Sequence, residues 1–237
     1  MGFIYTPEAA NMISITLESD PWVSVALIAI ASLALAVSGI KKQPGLGTII
    51  IFPLILLKLW RGDWELASLG FFPPESWGQV LLISLLAGIL IALGEVTLFE
   101  PAAEALSGEP VNKSILNRLR GDWRSTVIWL ALTWTVVAFA EEIIFRGFLL
   151  GETIKLLGNT WLGAILAAIY VSVIFGLAHW YQGKPGALST GLVSMILCWM
   201  FVAYDQNLWL PILTHGFIDT FGLLMIYANL DQRLRRR

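Results

Sequence analysis

The sequence predicts an all-α, polytopic membrane helix bundle of about seven transmembrane spans, with the active site inside the bundle. Three observations carry that prediction. Of 237 residues, 57% are hydrophobic and 14% charged, with mean hydropathy +0.75; soluble domains run near ~25% charged. The apolar residues come in runs close to the ~20 that a bilayer-spanning helix needs. Tryptophans stand at the ends of several runs, at Trp22, Trp60, Trp77, Trp161 and Trp209, as in interfacial belts.

Taken in order, residues 1–21 are polar and acidic (Glu8, Glu18, Asp20) and are expected to be interfacial or disordered. They carry no Lys or Arg, so they do not read as a cleavable signal peptide. Span 1 is about Trp22 to Ile40 and ends at Lys41-Lys42-Gln43-Pro44-Gly45. Span 2, about Leu46 to Trp60, is short and contains Pro53, so a tilted, kinked or partly inserted helix is expected. Arg61 to Trp77 reads as interfacial, broken by Pro73-Pro74. Span 3 runs from about Gly78 to Phe99; Glu95, four residues from its end, is expected to reach the headgroups as a structural residue. Residues 100–125 form the longest polar connection. Span 4 is about Thr126 to Gly151. Span 5, about Trp161 to Trp180, is rich in small residues that let helices approach closely. Span 6 is about Ala187 to Tyr204 and span 7 about Trp209 to Leu230.

The chain reads as a single membrane domain, 1–237, with spans 4 to 7 (124–230) as the catalytic core and 1–123 as accessory spans. Its one cysteine, Cys198, excludes an intrachain disulfide and reads as a packing residue. Seven spans with the N-terminus outside put eleven of the fifteen basic residues inside: Lys41, Lys42, Lys113, Arg118, Arg120, Arg124, Lys184, Arg233, Arg235, Arg236 and Arg237. That asymmetry favours N-out, C-in.

Span 4 holds Ala140-Glu141-Glu142-Ile143-Ile144-Phe145-Arg146. Each charge at bilayer depth costs about 2.5–3.5 kcal/mol on insertion scales, so three in six residues need a reason. Glu142 and Arg146 are four apart and face one way, so they can pair. Glu141 is turned about 100° from Glu142, and its own i+4 neighbour is Phe145. Glu141 therefore faces something else. The chain has two histidines, and both fall in apolar spans: His179 closes span 5, four residues after Phe175, and His215 lies in span 7 with Asp219 four residues on. Taken singly, each has a bland reading: a hydrogen-bonded interfacial histidine, a local kink cap, a structural ion pair. Jointly they bring ionisable groups to depth on three spans, and one shared polar cavity satisfies them all.

Glu141-Glu142-x-x-x-Arg146, Phe175-x-x-x-His179 and His215-x-x-x-Asp219, in that order, resemble the three motifs of the CAAX prenyl protease type 2 family, also called CPBP or Abi. The resemblance covers roughly Arg124 to Leu230. Many members have Asn where this chain has Asp219. The resemblance implies an intramembrane endopeptidase acting on a peptide or membrane-protein substrate in a lipid bilayer, with no nucleic-acid partner. The short chain and compact loops look more like a member from a prokaryotic cell membrane, so a farnesylated substrate is not implied.

The preferred mechanism is a glutamate-activated water without a cofactor: Glu141 as general base, His179 orienting the water, and His215 with Asp219 stabilising the oxyanion. Glu142 and Arg146 hold the first motif, and Phe175 walls the pocket. Within hydrolases the alternative is zinc bound by Glu141, His179 and His215. Outside them stand a proton-coupled transporter and a non-catalytic membrane binder. A proteolysis assay separates the enzyme from both.

Overall fold

The computed structural model describes residues 21–43, 45–61 and 64–235. The expectations for residues 1–20, for Pro44 and for the last two arginines lie outside these. Among the described residues all regular structure is helical. The seven main helices are α1 (Pro21–Ile40), α2 (Leu46–Arg61), α3 (Trp77–Ser107), α4 (Trp123–Leu156), α5 (Trp161–Ala178), α6 (Gly183–Ala203) and α7 (Trp209–Tyr227), followed by a short α8 (Leu230–Arg235). All but α2 and α8 are long and apolar enough to cross a membrane. The seventh expected span, α2, has 16 residues with Pro53 inside; at 1.5 Å per residue it reaches about 24 Å, short of a ~30 Å hydrocarbon core. The chain is an integral membrane protein whose outer faces carry exposed Leu82, Leu90, Ile128 and Val173.

Local sequence sets the helix starts. Ser76, Asp122 and Thr160 each precede a helix and accept its first free backbone N–H groups. Three backbone hydrogen bonds tie the bundle's ends. At one end Gly121 N–H donates to the Tyr227 carbonyl, and Asn112 N–H to that of Gln182. At the other, Leu208 N–H donates to the Gly70 carbonyl.

Packing differs from the sequence expectation in two respects. Spans 4, 5 and 7 were expected to be mutual neighbours. Instead α5 and α7 each pack on α4 and α6 rather than extensively on each other. The small residues of α5 serve α6: a Cβ at Gly176 would stand 2.5 Å from the Ala187 carbonyl oxygen. Spans 1 to 3 were expected to lie outside the core. Instead α3 runs along α7, with Ser84 Oγ donating to the Leu210 carbonyl at 3.3 Å, and α1 packs on α2 and α5.

Charges expected at span ends also turn inward. Lys58 is buried and pairs with Glu152 at 2.9 Å, while Ser24 Oγ donates to the same carboxylate. This ties α1 and α2 to the far end of α4. Trp209 is not a free interfacial ring; Phe71, Trp77 and Phe139 pack edge-on around it.

Candidate active site

The site is built on a helix that is not uniformly α. Helix α4 contains a π-turn at Thr133–Val137 and a π segment at Ile143–Leu150; such turns take up an extra residue and often accompany function. The first has a geometric consequence. Eight residues of α-helix would leave Thr133 and Glu141 roughly 80° apart around the axis, and one residue absorbed by the π-turn reduces this to roughly 20°. Thr133, Val137 and Glu141 accordingly line one cavity.

Beside them Glu142 and Arg146 turn away and are fully buried. Arg146 Nη1 donates to Glu142 Oε1 at 2.9 Å. Its Nη2 donates to the carbonyl and hydroxyl oxygens of Ser194 on α6, at 3.1 and 2.9 Å. The guanidinium also lies over the Phe175 ring, 5.1 Å from its centroid. Glu142 has a second partner that helix spacing does not announce: His215 Nδ1–H donates to the same Oε1 at 2.7 Å. This bond fixes the imidazole. Its other nitrogen, Nε2, faces Glu141 Oε2 at 3.9 Å and Asp219 Oδ1 at 3.8 Å. Close approach of α7 to α4 depends on Gly216, where a Cβ would stand 2.6 Å from the Trp134 ring. Trp134 Nε1–H in turn donates to Thr220 Oγ1.

His179 follows the last residue of α5. Its ring stacks on Phe175 with centroids 4.4 Å apart, and Nδ1 lies 2.9 Å from the Phe175 carbonyl oxygen. A carbonyl only accepts, so Nδ1 carries a proton, and in the tautomer that this bond selects Nε2 is an acceptor. Asp219 receives the Thr133 hydroxyl at 3.5 Å.

One cavity of about 230 Å³ is lined by Glu141, Phe175, His179, His215 and Asp219. The structure therefore brings together the predicted site residues, with Glu142 and Arg146 just behind the wall. Among the described residues, no group of three His, Cys, Asp or Glu side chains is gathered as a metal site; in particular, His215 Nδ1 is committed to Glu142.

Sequence reasoning missed several lining residues. Glu95, expected only as a structural residue near a span end, lines this cavity along with Glu100. Five apart in an α-helix, the two would differ by roughly 140°, and a π-turn at Glu95–Phe99 brings them within roughly 40°. Glu100 is held by Lys113 at 2.7 Å and by Arg235 of α8 at 3.1 Å. Lys113 and its neighbours Asn112, Ile115 and Leu116 line the cavity as well. Only Glu95 left a signal, as an acid inside an apolar run. Because α3 supplies part of the wall, the cavity does not follow a division of the chain near residue 123.

No curated protein and no solved structure matches this chain. Residues 123–221, under half of the chain but holding all three motifs, match the Rce1-like family model, described as type II CAAX prenyl endopeptidase Rce1-like.

Proposed function

We propose that this protein is an intramembrane endopeptidase that hydrolyses a peptide bond with a water activated by Glu141. One observation carries the reading: Glu141 and His215 Nε2 face each other at 3.9 Å across a cavity that His179 and Asp219 also line. That gap is short enough for one water to bridge. Among the described residues Glu141 has neither an ion-pair partner of opposite permanent charge nor a hydrogen bond, so it is free to take a proton.

In the proposed reaction Glu141 removes a proton from the water, and the hydroxide attacks the carbonyl carbon. His179, its Nδ1 anchored on Phe175, orients that water through Nε2. The tetrahedral oxyanion forms beside His215 and Asp219. In its protonated form the Nε2–H of His215 donates to that oxyanion. The proton held by Glu141 then passes to the leaving nitrogen as the C–N bond breaks. Glu142 and Arg146 touch no reacting atom; they set the imidazole's position.

No step in this account uses a metal. The zinc alternative, on Glu141, His179 and His215, is decided by the effect of chelators on cleavage. The substrate is a peptide or membrane-protein segment reached from the bilayer. The end of the bundle bearing Lys41, Lys42, Lys113 and Lys184 is the inner one, giving N-out, C-in.

The test uses purified protein in detergent and a quenched fluorescent, prenylated peptide ending in Cys-aliphatic-aliphatic-X. Alongside it, membrane peptides are compared between cells carrying the wild type and Glu141→Ala. Cleavage of the peptide, or accumulation of an uncut membrane peptide in the variant, supports the reading. Equal profiles in both arms sink it.

A further inference from the structure

We propose that the small cleft behind Glu141 is a water port, separate from the cavity that takes the peptide. The proposal rests on the hydrolytic reading of the site. Its basis is that two cavities meet at the same residues. The large one holds His215 and Asp219; a second, of about 50 Å³, opens between the α1–α2 turn and the end of α5. Glu141, His179 and Tyr181 line both. The remaining walls of the small cleft come from Ser38, Gly45, Gly47, Thr48 and the apolar Leu35, Phe145 and Ala178.

Size and polarity select the occupant. A water needs about 10–15 Å³ of such volume and two to four polar partners, and the cavity given to the peptide is more than four times larger than this cleft. The cleft therefore admits a few waters and no peptide residue. Its polar groups suffice: the Ser38 hydroxyl, which donates to the Gln43 carbonyl and still accepts; the Thr48 hydroxyl, which has no hydrogen-bond partner among the described residues; the Tyr181 hydroxyl; and Glu141 itself. Exposed Lys41, Lys42 and Gln43 stand at the turn beside it, so the cleft leads to the aqueous phase and not to lipid.

The chemistry supplies the need. Hydrolysis consumes one water per bond, and a peptide seated in the large cavity expels the water there. A second opening onto Glu141 refills the attacking position while substrate is bound. His179, at the junction, presents Nε2 where it can receive a water arriving from the cleft.

The experiment has two arms. In the first, Thr48→Cys and the lipid-facing control Val173→Cys are treated with a charged methanethiosulfonate reagent. The wild type, whose single cysteine Cys198 is buried, is the blank. A water-filled cleft makes Thr48→Cys react at least about ten times faster than the control, because the charged reagent does not partition into lipid. Equal, slow rates overturn the proposal whether or not the protein is a peptidase.

In the second arm, Thr48→Leu fills the cleft and is assayed on the fluorescent prenyl peptide. The expectation is a kcat lowered about ten-fold or more with KM within about two-fold, since binding is intact and a reactant is starved. Thr48→Ser, which keeps the space and the hydroxyl, restores kcat. An unchanged kcat, or a raised KM alone, overturns the port. Absence of turnover in the wild type counts against the peptidase reading on this peptide, and the labelling arm then decides the cleft by itself.

Discussion

Removing Arg146 tests how the site is held together. Its guanidinium is fully buried, donates to Glu142 and twice to Ser194, and lies over Phe175. Arg146→Ala leaves the Glu142 carboxylate at depth with only His215 as partner. Breaking a buried pair costs about 3–5 kcal/mol in soluble proteins, a factor of roughly 150 to 5,000 in the folding equilibrium. Against a total stability of about 5–15 kcal/mol, that is a large share, and the melting temperature should fall by roughly 6–20 °C. Size-exclusion chromatography of heated detergent samples reads this directly. Because Glu142 also positions His215, the fraction that stays folded should lose turnover too. The double variant Glu142→Leu, Arg146→Met separates the effects. Removing both charges should recover most of the stability while leaving His215 unheld and turnover low. Normal melting of Arg146→Ala with lost activity would refute this reasoning and put the arginine at the substrate.

Glu141→Gln should abolish peptide cleavage while the protein still inserts and melts like the wild type; retained turnover would move the base to another residue. Cleavage should survive strong chelators, and a loss restored by zinc would replace the glutamate mechanism with a metal one. Ser194→Ala should lower stability by about 1.5–3 kcal/mol, the range for a hydrogen bond to a charged group, with activity per folded molecule unchanged; a large loss of kcat at full stability would contradict the structural role given to Ser194. Outside the spans, two hydrogen bonds tie Arg120 to the buried Asp231. Burial alone would raise the Asp231 carboxyl, but hydrogen bonds from Arg120 and its charge outweigh it and hold the group below the usual range. A depressed folded value means the pair stabilises above the ordinary Asp pKa of about 3.9 and ceases to do so as pH falls through the folded value. The melting difference between wild type and Asp231→Asn should therefore be present at pH 6 and shrink at strongly acid pH; a constant difference would place the effect elsewhere.

Residues related within one helix were legible in the sequence. Four-residue spacing placed Arg146 on Glu142 and put His215 and Asp219 on one face, because these pairs depend only on local helical geometry. Phe175 and His179 are related in the same way, through backbone as well as rings. The relation of Glu142 to His215 was not legible: 73 positions separate them, and no period links residues on different helices. Glu95 was misplaced for another reason. Distance to a span end says whether a side chain can reach the headgroups, not which face it occupies, and the π-turn that re-aims it toward Glu100 has no recognised residue signature. The shortness of α2 was visible, but that α3 packs on α7 and closes the site depends on packing among helices that are all apolar.

The adjacency of the two glutamates now has a physical account. Successive side chains on a helix diverge by about 100°, so one position can face the bundle interior and the next the cavity. Glu142 uses one oxygen, Oε1, to hold both Arg146 and His215. A carboxylate so engaged, with no direct access to the cavity, is a poor base. Glu141 makes no such commitments, and His215 lies between the two, bound through Nδ1 to the first and facing the second through Nε2. Under the proposed mechanism the imidazole thereby links an inner acid that sets geometry to an outer acid that moves the proton. Under that mechanism one glutamate cannot fill both roles, since a carboxylate buried behind the wall to hold the imidazole does not reach a water in the cavity.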